Sequence, residues 1–151
     1  MIALQNVENT VNLQLDIVDY EFPNGSDNWC LLKVIVQHHN KIFEKIDPAL
    51  EVSDLYIMYR WFNALAQGCL PSHSVLYFTE PCLELSFISY NNEDEIVRIS
   101  ITLNCELKPD FALDDPYNLI EDWTLYFDLS KNVFASILKN IEQWIQDYPL
   151  R

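Results

Sequence analysis

Apolar and polar residues alternate along much of this chain, and the alternation sets most of its expected elements. Val11, Leu13, Leu15 and Ile17 interleave with Asn12, Gln14 and Asp16, the period of a strand with one buried face. Pro23-Asn24-Gly25 then breaks the chain into a loop. An apolar run over residues 30–36 and a second segment over 41–46 flank the polar corner His38-His39-Asn40, which predicts a hairpin. Residues 1–6 carry a weaker strand signal. Residues 75–79 and 83–89 read as strands divided at Pro81, and residues 90–95 as a polar turn. The clearest strand follows. There Val97, Ile99, Ile101, Leu103, Cys105 and Leu107 face one way, and Arg98, Ser100, Thr102, Asn104 and Glu106 the other. Pro109, which has no N–H to give the ladder, is expected to end it. Trp123, Leu125, Phe127 and Leu129 alternate as one more strand.

Two segments switch to the helical period. Leu55, Met58, Phe62 and Leu65 fall on one face at spacings of three and four. Ser53 is the expected N-cap, Asp54 suits the positive end of the helix dipole, and Gly68 suits the residue after the C-cap. Near the end, Ser130 can cap a helix whose stripe is Phe134, Ile137, Leu138, Ile141, Ile145 and Tyr148, with Pro149 stopping it. The order β-β-β-α-β-β-β-β-α contains hairpins rather than βαβ repeats. It predicts an α+β fold: mainly an antiparallel β-sheet of about seven strands with two α-helices packed on it, as a single domain over 1–151. A chain of 151 residues buries roughly 70% of its unfolded surface, and it needs no disulfide or metal to fold.

Charge changes the picture most. Nine basic residues against 23 acidic ones give a formal charge of −14. Such a field repels nucleic acid and anionic membranes, whose phosphates need Lys and Arg, and it attracts a basic partner. The densest acids are Glu93-Asp94-Glu95 and the segment 110–122, where Asp114, Asp115 and Glu121 stand without Lys or Arg. Both are expected loops, so both are candidate partner-binding surfaces. Trp29, after Ser26-Asp27-Asn28 at the start of a strand, is a candidate rim aromatic, and Asp27 is placed with it. Trp61, Trp123 and Trp144 are expected in the core.

Residues 1–10 lack the basic and apolar regions of a signal peptide. No run of about 18 apolar residues is available to span a membrane. The four cysteines, Cys30, Cys69, Cys82 and Cys105, have no CxxC spacing and are read as free core thiols in a reducing cytoplasm.

Little catalytic chemistry is legible. Gly25 and Gly68 are the only glycines, too few for a phosphate-cradling loop. His38 and His39 are adjacent, which in a strand points them to opposite faces, and His73 is remote in sequence. Neither metal nor cofactor is expected. Glu80 and Glu84 are the natural pair for acid–base hydrolysis, against the plainer expectation of a solvent-face Glu84 and a turn-bonded Glu80. No catalytic residue is assigned.

Taken end to end, the segments resemble the WapI family of bacterial immunity proteins. The resemblance rests on Tyr20-Glu21-Phe22-Pro23, Asn28-Trp29, Asp47-Pro48-Ala49-Leu50, and Leu55, Trp61-Phe62 and Leu65. It continues through Phe78-Thr79-Glu80-Pro81, Leu83, Glu106-Leu107-Lys108-Pro109 and Tyr148-Pro149. Departures are Cys30 after the tryptophan, Cys82 after Glu-Pro, and an acid displaced to Asp27. The resemblance implies a cytoplasmic protein that binds the toxic domain of a secreted, contact-delivered toxin, commonly a nuclease with a basic cleft. The alternatives are an acidic binding or regulatory module with no toxin link, and a carboxylate-dependent hydrolase.

Overall fold

The computed structural model describes residues 1–111, 113 and 123–151. Ahead of the first helix come β1 (Ile2–Gln5), β2 (Val11–Tyr20), β3 (Trp29–His38) and β4 (Lys41–Glu51), followed by α1 (Val52–Ala66). After it come β5 (Val75–Tyr77), β6 (Leu83–Asn91), β7 (Ile96–Leu103), a 3-10 turn (Cys105–Leu107), β8 (Trp123–Leu129) and α2 (Lys131–Asp147). The α+β class and the antiparallel pairing are as expected. The strands, however, form two four-stranded sheets, β1-β2-β3-β4 and β5-β6-β7-β8, rather than one sheet. The weakly marked first strand is real and brings the total to eight among the described residues. The sheets meet through one edge, where the Val7 N–H donates to the Tyr126 carbonyl of β8 at 2.9 Å.

The apolar positions of the alternating segments become buried positions. Leu13, Leu15 and Ile17 of β2, Leu32, Val34 and Val36 of β3, and Ile99, Ile101 and Leu103 of β7 face one continuous core. The helix stripes complete it with Leu55, Met58, Trp61, Phe62, Leu65, Phe134, Ile137, Ile141 and Trp144. The core tryptophans also satisfy their indole N–H groups, as burial requires: Trp61 donates to the His73 carbonyl, Trp123 to the Phe111 carbonyl and Trp144 to the Asp16 carboxylate. The helices run antiparallel, for Phe62 meets Phe134 while Tyr59 reaches Glu142.

Four expectations need correction. First, β7 stops at Leu103, and Cys105 enters the left-handed region at φ 49. Cys105 is therefore exposed rather than a core thiol, as is Cys69; Cys30 and Cys82 are buried. Leu107 still reaches the core, through the 3-10 turn. Second, β4 runs past residue 46 to Glu51. Pro48 is tolerated because β4 is an edge strand and Ala49 forms a bulge opposite Cys30 and Leu31. Third, α1 starts two residues early, with Glu51 as N-cap; the Asp54 carboxylate accepts the Glu51 N–H at 2.9 Å. Fourth, Ser100 and Thr102 on the polar side of β7 are buried. They are small residues on an inner strand between Glu84, Ser86, Thr124 and Tyr126, and the Thr102 and Thr124 hydroxyls share a 2.8 Å hydrogen bond.

Candidate functional site

The acidic turn between β6 and β7 is built by its own side chains. Asn91 accepts the Glu93 N–H at 2.9 Å and donates to the Asp94 carboxylate at 3.0 Å. Glu95 takes the left-handed conformation, φ 53, that returns the chain into β7. Glu93, Asp94 and Glu95 are all exposed, and no ion pair among the described residues engages them. Three uncompensated carboxylates on a tight turn are a concentrated negative field.

Beside this turn lies a groove that the sequence did not disclose. It has a volume of about 410 Å³ and is lined by Leu65, Gly68, Tyr90, Glu95, Val97 and Phe134, among others. A smaller hollow of about 150 Å³, sharing Leu65, Gly68, Tyr90 and Val97, extends it to Cys69, Leu70 and Phe87. The groove exists because α1 ends here: Gly68, at φ +70, turns the chain away where a β-carbon would be strained. Leu70 is 76% exposed and Tyr90 43% exposed, so an apolar surface stands next to the carboxylates. The one sequence signal for it was Leu70, an apolar residue placed between Gly68 and Pro71 in a loop.

Asp27 and Trp29 sit at the other end of the helix pair. Asp27 accepts the Trp29 N–H at 3.2 Å, and its carbonyl accepts the Arg151 guanidinium. Arg151 also donates to the Phe22 and Pro23 carbonyls and lies 3.7 Å from the Tyr20 ring centroid. Trp29 is half-buried. Asn28, next to it, accepts the Val52 N–H at the start of α1. Since α1 has 15 residues, its two ends lie about 22 Å apart. The structure does not bring Asp27 and Trp29 together with Glu93, Asp94 and Glu95. Asp114 and Asp115 lie outside the described residues.

The remaining candidates separate as well. Glu84 is half-buried on the polar side of β6, where it accepts the Ser86 hydroxyl at 3.2 Å. Glu80 is exposed in the turn before that strand, and no hydrogen bond joins the two. His39 adopts φ 54 in the β3–β4 turn, which brings its ring within 4.3 Å of His38 rather than onto the opposite face. His38 is buried and stacks at 6.1 Å on Phe111. No helix among the described residues is long and apolar enough to cross a membrane.

Residues of the family-like motifs prove to be joints of the fold. Asp54 in α1, 3% exposed, accepts the Thr79 hydroxyl at 3.3 Å and the Thr79 N–H at 3.5 Å. Burial raises its carboxyl above the usual value, and hydrogen bonds from Glu51 and Thr79 pull it back in part. Tyr20 donates to the Pro149 carbonyl and packs edge-on against Tyr148. Phe78, Leu83, Ala49, Leu50 and Leu107 are core residues. These motif residues therefore serve the fold, while Phe22, Glu80 and Glu106 of the same motifs are exposed. A search of curated proteins finds no match. A family model described as the immunity protein WapI-like family matches residues 3–149, and over nearly its whole length the chain belongs to that family.

Proposed function

We propose that this protein neutralises a cognate toxin domain by forming a 1:1 complex with it in the cytoplasm, without catalysis. The observation that carries the proposal beyond family membership is the union of two features at one end of the molecule. Glu93, Asp94 and Glu95 present charge with no ion-pair partner among the described residues, and the adjoining groove offers Leu70 and Tyr90 as an apolar anchor. Charge steers the encounter and a desolvated apolar centre holds the complex. A basic toxin domain is the partner this arrangement suits, and a nuclease with a basic cleft is the natural candidate. Asp114 and Asp115 join the proposal on charge alone. Asp27 and Trp29 stay outside this interface.

Co-expression tests the role, since cells producing the toxin domain encoded beside this gene should survive only when the chain is present. Association kinetics test the surface. Changing Glu93 and Glu95 to Lys should slow association at low salt and flatten its salt dependence. Thermal stability should hardly change, because exposed charges contribute little to folding. Unchanged kinetics with full protection would leave the immunity role standing and remove the acidic turn from the interface.

A further inference from the structure

We propose that Cys82, Cys105 and Glu106 form a binding site for a thiophilic divalent cation, Zn²⁺ first, which clasps the entry of β6 to the turn after β7. One ligand atom from each residue lies within 4.8 Å of the other two. The Cys82 Sγ and Glu106 Oε2 are 3.7 Å apart. Tetrahedral zinc with its usual bonds to sulfur and carboxylate oxygen sets such donors about 3.5–3.7 Å apart. Two thiols and one carboxylate favour zinc over the hard cations calcium and magnesium, which prefer all-oxygen shells.

The surroundings fit a three-ligand site open to water on its fourth side. Cys82 is buried while Cys105 and Glu106 are exposed, so an ion has a way in from solvent. No lysine or arginine is ion-paired to Glu106 among the described residues. The Asn104 N–H donates to the Cys82 carbonyl at 2.8 Å, fixing the two segments side by side.

Backbone geometry is the second observation. Continued as a strand, β7 would carry Cys105 to the core side with Leu103. Instead Cys105 turns left-handed at φ 49, a conformation that glycine or asparagine fills more readily than cysteine. The turn sets its thiol beside that of Cys82, and strained backbone of this kind collects at ligand sites. Desolvation first, then neighbouring Cys105 and Glu106, push the Cys82 thiol up to about 12. A divalent cation reverses that electrostatic balance, so uptake would release protons from the thiols.

The site stands apart from the immunity reading, and its test needs no toxin. The reduced full-length protein would be titrated with Co²⁺, watching the near-ultraviolet thiolate-to-cobalt band, and Zn²⁺ would then compete. One equivalent of Co²⁺ should saturate the band at micromolar protein, Zn²⁺ should bleach it, and Zn²⁺ should raise the thermal midpoint. Cys105→Ser, on an exposed side chain, should weaken binding by more than about 100-fold, beyond the usual loss from disturbing an outer-shell partner. Cys69→Ser, at the other exposed cysteine, should bind as the natural protein does. Absence of a saturable band, its survival in Cys105→Ser, or its loss in Cys69→Ser would each overturn the site. So would reduced protein that ignores Zn²⁺ yet forms a Cys82–Cys105 disulfide in air.

Discussion

Truncating Asp54 to alanine removes the joint between α1 and the Thr79 segment, and the structure sets the size of the loss. The carboxylate accepts the Glu51 N–H, the Thr79 N–H and the Thr79 hydroxyl. Losing the reciprocal cap at the helix start costs about 1 kcal/mol. Stranding the partly buried donors adds about 1–3 kcal/mol, so Asp54→Ala should cost roughly 2–4 kcal/mol in all. For a chain of this size that lowers the thermal midpoint by about 4–16 °C. Denaturant unfolding followed by tryptophan fluorescence gives the free energy directly. Asp54→Asn adds a pH test, because it keeps the shape without the charge. Burial raises the folded carboxyl above its ordinary 3.8, so the folded state holds the proton more tightly than the unfolded one. This group's stabilisation is then complete below 3.8 and declines as pH rises through the raised folded value. The stability of the natural protein relative to Asp54→Asn should therefore fall over that window and level off above it. A cost below about 1 kcal/mol for Asp54→Ala, or a pH-independent difference between natural protein and Asp54→Asn, would refute the reasoning.

Three further substitutions probe the fold. Ile99→Ala, at a fully buried core position of β7, should cost about 2–5 kcal/mol in denaturant unfolding. Thr102→Val, which loses only the hydroxyl pair with Thr124, should cost about 1 kcal/mol. Gly68→Ala meets no atom within 4 Å of the added carbon, so calorimetry should register backbone strain alone, about 1–2 kcal/mol.

Periodicity was a sound guide to faces and a poor one to pairing and handedness. The alternation over Val97–Leu103 and the stripe Phe134, Ile137, Ile141 translate directly into buried positions. The same alternation runs on through Cys105 and Leu107 in the sequence, yet the chain leaves the strand there. Leu107 is buried by a 3-10 turn, so its apolar character carried no information about backbone conformation. Ile42 and Ile46 lie on the exposed side of edge strand β4, which also weakens the pattern there. Division into two sheets was not legible because alternation says which face is buried, not which neighbour supplies the ladder. Helix α1 separates β4 from β5, and each set of four strands pairs within itself.

The candidate site was legible as charge and no further. Glu93-Asp94-Glu95 could be read directly, but the adjoining groove joins residues from α1, β7 and α2 that are far apart in sequence. Asp27 was a candidate binding residue beside Trp29, whereas its carboxylate and carbonyl are engaged in holding the loop before β3. Hydrogen bonds of this local kind leave no mark in composition or spacing.

The central claim is that protection works by stoichiometric binding. It is tested most directly by titrating the activity of the purified cognate toxin domain with this protein. The account predicts that activity falls in proportion to added protein and vanishes at one equivalent, with recovery of a 1:1 complex. Activity that persists in excess protein would contradict it, and so would activity abolished by a small fraction of an equivalent, which would mean the protein inactivates its target catalytically.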